Sequence, residues 1–260
     1  MFDQRGAGKS LPSGFTKNNS TQKLLEDIEL LRSHLAIEKW VVSGGSWGST
    51  LTLAYAQAYP NRCTAIVVRG VFLGTRDETD WIAKGLRRLF PVEWQNCMEF
   101  LDQEEQQNLF ESIQARISSG NSDSAISAAR ALSKFEWICS SVDPDERQIE
   151  RELTPEFSLQ YSRLLCHYAL NDFFLEPDEL IRNIDRVVPI PGRIIQGQFD
   201  FVCPPAAAVR LHQAWQGSEL VLVPKSGHLV SEPGIAQAYL DTMEQLKAVV
   251  SGVPGCFHPD

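Results

Sequence analysis

The chain has 260 residues, of which 43% are hydrophobic and 22% are charged, enough to bury the core of one globular domain that carries an insertion. Its net charge of −9 argues against a nucleic-acid partner, because the phosphates would repel it. No stretch reaches the roughly 18 apolar residues that a membrane helix needs, and the first five residues are not typical of a secretory signal.

The cysteine pattern indicates neither a metal site nor a disulfide framework. The six cysteines stand at positions 63, 97, 139, 166, 203 and 256, without a Cys-x-x-Cys pair and without the histidine spacing of a zinc site. We therefore predict reduced thiols and a cytoplasmic location.

A helix predicted over residues 20–35 is followed by a buried strand over residues 40–43 and then by Gly44-Gly45-Ser46-Trp47-Gly48. A second helix is predicted from Ser49 to Tyr59, ending at Pro60. A serine between a strand and a helix is typical of a nucleophile elbow, in which strained backbone lifts the hydroxyl clear. Glycine at positions 44 and 48 is expected to prevent a collision across the turn. The backbone N–H of Trp47, at the helix start, is expected to stabilise negative charge on a substrate oxygen.

The alternation of strands and helices is interrupted once. A strand is predicted over residues 65–68, and the next one comes only at residue 193. Between residues 75 and 188 the pattern is helical, charged and glutamine-rich, with helices predicted over residues 99–117 and 124–138 and a helix start at Thr154-Pro155-Glu156. This insertion is predicted to form a helical lid over the active site.

A serine nucleophile needs a histidine as base and a carboxylate that fixes the tautomer of that histidine. In this fold class they follow in the order serine, acid, histidine. His228 follows the predicted strand at residues 220–223, and Asp200 follows the strand at residues 193–195, with Gly197 expected to loosen the chain before it. Both lie where open parallel sheets place their active sites. Four histidines are set aside because they lie in helical patterns, in the terminal tail or before any plausible acid: His34, His212, His258 and His167.

Several blocks of the sequence resemble the prolyl aminopeptidases, also called proline iminopeptidases. They comprise residues 3–10 (DQRGAGKS), 44–57, 69–74, 203–205, 227–228 and 231–234. The resemblance implies an α/β-hydrolase fold, a mostly parallel sheet flanked by helices, with a helical cap. It also implies a serine mechanism without metal or cofactor, and removal of an N-terminal proline from short peptides with a free N-terminus. Ser46, Asp200 and His228 match the nucleophile, acid and base of the family.

The resemblance also suggests a domain division and substrate contacts. Residues 1–74 and 189–260 correspond to the catalytic core, and residues 75–188 to the cap. Glu136 matches a cap glutamate that holds the substrate's amino group, although from the residues alone a solvated helix-face glutamate is the simpler interpretation. Phe72 matches a residue of the proline pocket.

The chain departs from the family pattern in the cap. Leu165 stands where a second glutamate is expected, and Ala83 and Ala169 stand where aromatic residues would wall the proline ring. These changes weaken selection for the amine and enlarge the pocket. A broader esterase or arylamidase therefore stays open as an alternative, as does a binding protein that retains the triad without turnover. The sequence leaves the oligomeric state open.

The N-terminal end carries one further expectation. The resemblance begins at Phe2, which corresponds to the end of the fourth strand in these hydrolases, and no His-Gly dipeptide occurs in the chain. We therefore expect the earlier strands to be missing, together with the His-Gly-Gly type loop that donates the second oxyanion N–H. On this interpretation Met1 is an internal start. The elbow strand would then lack a neighbour on one side, and the chain would be poorly soluble. Its activity would be about 100-fold or more below that of a form extended by about 60–70 residues.

Overall fold

The computed structural model describes residues 2–251, so Met1, Cys256 and His258 lie outside the described residues. The helices are Thr21–His34 (α1), Trp47–Ala58 (α2), Arg76–Asp80 (α3), Pro91–Met98 (α4), Gln103–Gln107 (α5), Leu109–Ile117 (α6), Ser122–Cys139 (α7), Glu146–Glu152 (α8), Pro155–Ala169 (α9), Glu179–Arg182 (α10), Pro205–Ala214 (α11) and Pro233–Ser251 (α12). The strands are Trp40–Ser46 (β1), Cys63–Val71 (β2), Gly192–Gly197 (β3) and Ser218–Val223 (β4). Short 3₁₀ segments at 60–62, 86–88, 172–174 and 184–186 and a π-helical turn at Trp81–Gly85 complete the described elements.

The four strands form one parallel sheet in the order β1-β2-β3-β4. Residues of β2 and β3 are buried almost throughout, as expected for the centre of a parallel sheet that is covered on both faces. β1 lies at the edge, and within the described residues it pairs only with β2. The predicted α/β architecture with a parallel sheet is confirmed.

Two compact units make up the chain. The sheet unit comprises the described parts of Leu30–Leu73 and Glu179–Asp260. Its core includes Ala65 and Val67 of β2, Ile195 of β3, and Ile235 and Leu246 of α12.

The other unit comprises the described part of Met1–Glu29 together with Gly74–Asp178, and the regular elements described in it are helices. Residues 1–74 were predicted to belong to the core, whereas the structure groups residues 2–29 with the helices. Polar contacts explain this grouping: Gln160 of α9 exchanges two hydrogen bonds with the backbone of Gly8, and the Asn19 carboxamide accepts one from Tyr168 at 2.6 Å.

Local sequence signals account for most element ends in the helical unit. Thr154 caps α9 by accepting from the Phe157 N–H, and Pro155 takes the first helical position, as predicted. The single helix expected over residues 99–117 is instead two helices, α5 and α6. Asn108 leaves the helical conformation between them, with φ −113° and ψ 53°. A capping box at Asp102 then sets the start of α5.

None of the helices within residues 2–251 is both long and apolar enough to cross a membrane.

Candidate active site

Ser46 lies at the junction of β1 and α2. It is the last residue of the strand, and Trp47 is the first of the helix. The backbone of Ser46 has φ 56° and ψ −127°, a conformation that non-glycine residues rarely adopt. Such strain persists only where the surrounding structure enforces it, and it is concentrated at functional sites. The sequence-predicted strand–turn–helix is therefore present, with its serine at the strained position.

The two glycines around Ser46 play different roles. A Cβ at Gly44 would lie 2.2 Å from the carbonyl oxygen of Gly48 and 2.7 Å from Thr52 Oγ1, so only glycine fits there. A Cβ at Gly48 would meet no atom within 4 Å. The expectation that both positions exclude side chains is thus right for Gly44 and wrong for Gly48, because the crowding comes from the Gly48 backbone itself.

Trp47 opens α2, so its N–H belongs to the first helical turn, where the helix dipole is positive. This location fits the predicted role as an oxyanion donor.

His228 and Asp200 form a buried pair in the sheet unit. His228 Nδ1 lies 2.7 Å from Asp200 Oδ2, and the two residues are only 9% and 2% exposed. With the carboxylate accepting from Nδ1–H, the Nε2 atom is left to take up a proton from a nucleophile. The other carboxylate oxygen, Oδ1, accepts the N–H of Cys203 at 2.8 Å. This geometry is the one that an acid needs in order to orient a general base.

Two glycines make room for this pair. Gly197 is the last residue of β3 and is buried, and a Cβ there would lie 2.1 Å from the Gly227 carbonyl oxygen. Gly197 was expected from the sequence to loosen the chain, and this prediction is wrong. Instead, Gly197 lets the loop before His228 pack directly on the strand. Gly70, at φ +48°, faces the His228 ring, and a Cβ would lie 2.9 Å from Cε1.

The sheet brings Ser46 to the same end of β2 as His228. Ser46 is the register partner of Val71, and the preceding residue, Gly70, lies against the His228 ring. In the part of the chain that the structure describes, Ser46 Oγ and His228 share no hydrogen bond. Catalytic hydrogen bonds are often long without substrate and tighten in the complex.

Two polar residues beside the pair were not predicted from the sequence. The Arg69 guanidinium donates to the His228 carbonyl oxygen at 3.0 Å and occupies the space that a Cβ on Gly45 would need. Burial lowers the pKa of Arg69, and the negative charge of Asp200 acts against that shift. Gln196 of β3 donates to Asp200 Oδ2. Its signal was an amide directly after the apolar pair Ile194-Ile195, four residues before the acid.

The helical unit carries the predicted amine-binding residue. Glu136 of α7 accepts a hydrogen bond from Tyr161 Oη at 2.5 Å, and its Oε2 atom is buried. Glu136 is half-buried on α7, so it is less exposed than the simpler interpretation of a solvated helix-face glutamate implies.

The remaining predicted substrate residues fall in both units. Phe72, in the sheet unit, is 5% exposed, and its carbonyl oxygen accepts from Thr50 Oγ1 at 2.6 Å. Leu165 lies half-buried on α9. Ala83 and Ala169 are both buried and line one cavity of about 160 Å³ in the helical unit.

Known proteins resemble this chain in sequence and in fold. Residues 1–234 match the family described as the alpha/beta hydrolase fold. The chain is 41% identical over 250 residues to a probable proline iminopeptidase of Leptolyngbya boryana, covering 95% of this chain and 78% of that relative. It is 38% identical to a proline iminopeptidase of Arabidopsis thaliana, covering 96% of this chain and 67% of the relative. Among solved structures, an acetylester hydrolase from Corynebacterium glutamicum superposes with a TM-score of 0.67 at 16% identity, over 94% of this chain and 75% of that one, a likeness of fold.

Proposed function

Because the chain belongs to the proline iminopeptidase family of α/β hydrolases, we propose that it is a serine exopeptidase that releases N-terminal proline, or another small residue, from short peptides. The observation that carries the proposal is the combination of a strained serine at the start of α2 with a buried His228–Asp200 pair in the same unit.

In the proposed mechanism Ser46 Oγ attacks the carbonyl carbon of the substrate's first residue while His228 Nε2 takes its proton. The Trp47 N–H stabilises the negative charge that develops on the carbonyl oxygen. His228 then gives the proton to the leaving amine, and the shortened peptide departs. Water activated by His228 hydrolyses the acyl-enzyme, which releases the first residue and restores Ser46. Asp200 holds His228 in one tautomer and stabilises the imidazolium that forms twice in the cycle.

Glu136 is proposed to receive the free amino group of the substrate. An ammonium that leaves water needs a carboxylate partner, and hydrogen bonds between charged groups are the strong ones. The bond from Tyr161 and the burial of Oε2 support this role, because they hold the carboxylate in one orientation and keep it from bulk water.

A broader esterase or arylamidase activity is the second candidate. The observation that favours it is that Ala83 and Ala169, small residues at positions where the family resemblance leads us to expect aromatic ones, both border one pocket within the helical unit. Leu165 in place of a second cap carboxylate weakens selection for an amine in the same direction. Under this alternative Leu165→Glu should sharpen the preference for a free N-terminus.

The two candidates are separated by one panel of arylamide substrates that carry proline, alanine or acetyl-blocked proline. An exopeptidase of the proposed kind cleaves the proline compound and rejects the blocked one, whereas a broad arylamidase cleaves all three. The Ser46→Ala variant should stay folded, lose turnover and lose covalent labelling by a fluorophosphonate. Labelling that survives the substitution, or that maps to another serine, would refute Ser46 as the nucleophile.

A cytoplasmic location completes the proposal. It is supported by the five cysteines within residues 2–251, which are buried free thiols. Burial raises the pKa of Cys97 to about 11, so this thiol stays protonated and unreactive near neutral pH.

A further inference from the structure

Gln196 is a fully buried amide within β3, directly after the apolar residues Ile194 and Ile195. A buried amide is costly unless it is hydrogen-bonded. Gln196 meets this need with three bonds. Its Oε1 accepts the Val71 N–H at 2.9 Å, and its Nε2 donates to the Cys203 carbonyl oxygen at 2.9 Å and to Asp200 Oδ2 at 3.1 Å.

Only one orientation of this amide satisfies its neighbours. If Oε1 and Nε2 were exchanged, an NH₂ group would face the Val71 N–H, and an oxygen would face both the Cys203 carbonyl and the Asp200 carboxylate. The donor side of Gln196 is therefore fixed toward the acid.

The bond falls on the carboxylate oxygen that His228 uses. Asp200 Oδ2 accepts from His228 Nδ1 at 2.7 Å and from Gln196, while Oδ1 accepts from the Cys203 N–H. Two fixed donors besides the imidazole thus set the rotation of the carboxylate. The same side chain also binds Val71, the register partner of Ser46.

We propose that Gln196 is a positioning residue for the triad. Its Nε2 holds the Asp200 carboxylate in the orientation that meets His228 Nδ1 and, by donating to it, stabilises its negative charge. Its Oε1 accepts from Val71, so the same side chain links the acid to the strand beside the nucleophile. The inference rests on the proposed roles of Ser46, Asp200 and His228. A purely structural Gln196, which serves only the backbone groups of Val71 and Cys203, is the competing explanation.

The test compares Gln196→Met with Gln57→Met. Gln57 is a second buried glutamine of the sheet unit, and its Nε2 donates to the Leu180 carbonyl oxygen at 2.7 Å. Both variants lose buried amide hydrogen bonds, but only the first loses a bond to the acid. Melting temperature, kcat and KM on a proline arylamide, and the NMR titration of selectively labelled His228 are measured for both.

For Gln196→Met we expect kcat to fall about 10- to 100-fold with KM nearly unchanged, the fold-change that corresponds to one hydrogen bond to a charged group. The His228 titration curve should differ from that of the parent, because the carboxylate that His228 contacts loses one of its two other fixed donors. Gln57→Met should lower the melting temperature and leave kcat and the titration unchanged.

Gln196→Glu decides the matter if the methionine variant does not fold. It keeps an acceptor for the Val71 N–H but replaces the donor by a second carboxylate beside Asp200, so the same loss of kcat is expected. An unchanged kcat and His228 titration in a folded variant would overturn the proposal, and so would failure of both variants to fold, which would assign Gln196 a structural role. If the parent chain shows no turnover, the proposed function fails, while the titration still tests Gln196.

Discussion

Alanine at Gly44 and alanine at Gly48 each add one methyl group beside Ser46, yet the structure predicts opposite outcomes. At Gly44 the methyl would lie 2.2 Å from the oxygen and 2.5 Å from the carbon of the Gly48 carbonyl group. Both atoms belong to the backbone, so no side-chain rotation relieves the contact. At Gly48 the methyl enters open space.

The expected magnitudes follow from this difference. Overpacking of a tight site costs about 1–3 kcal/mol and displaces the backbone, and a displacement of about 1 Å at a reacting group costs about 100-fold in rate. Gly44→Ala should therefore lose both stability and activity. Gly48 lies in the first turn of α2, where alanine is favoured over glycine by up to about 1 kcal/mol. For a chain of this length that gain raises the melting temperature by about 2–4 °C at most.

The assay is thermal unfolding of both variants together with the rate at which a fluorophosphonate labels Ser46. We expect Gly48→Ala to melt at or above the temperature of the parent and to be labelled at a similar rate, and Gly44→Ala to melt lower and to be labelled slowly. Equal losses of melting temperature and labelling rate in the two variants, or greater losses at position 48, would refute the argument that only position 44 is sterically restricted to glycine.

Three further variants test the rest of the site. Gly70→Ala places a Cβ 2.9 Å from His228 Cε1 at a left-handed backbone position, so kcat/KM should fall by about 100-fold, and a normal rate would show that the ring tolerates displacement. Gly197→Ala would force the Gly227 carbonyl away from β3 and should cost about 1–3 kcal/mol of stability as well as activity, as measured by urea unfolding and turnover. Glu136→Gln should cost about 1.5–3 kcal/mol in kcat/KM on substrates with a free amine and leave an ester without the amine nearly unaffected. Equal losses on both substrates would mean that Glu136 supports the fold.

The sequence was sufficient for the parts of the site that depend on order along the chain. The elbow follows an apolar strand, and Asp200 and His228 each follow another, so hydrophobic patterning predicted where Ser46, Asp200 and His228 lie in the fold. Contacts between distant segments could not be predicted this way. The need for glycine at position 197 arises from the Gly227 carbonyl, 30 residues further on, and the open space at Gly48 depends on the path of the turn.

Gln196 and the α5–α6 boundary are two further features that could not be predicted from the sequence pattern. The apolar run predicted a strand only over residues 193–195, whereas the role of position 196 depends on Val71, Cys203 and Asp200, which all contact its amide. The helical periodicity of the sequence continues from α5 into α6, and no strong helix breaker marks the boundary between them. Asn108 nevertheless adopts a non-helical backbone.

The parallel pairing of β2 with β3 also has a kinetic consequence. Their hydrogen bonds can form only after residues 72–191 have been closed into a loop, and the site cannot exist before that, because Gly70 lies on one strand and Asp200 follows the other. Closing a flexible chain of that length costs about 4 kcal/mol in entropy. Helices formed early within the intervening segment shorten the effective loop and lower that barrier. Destabilising changes within this segment that spare Glu136 and Tyr161 would therefore slow the appearance of active protein during refolding without altering the turnover of molecules that have already folded.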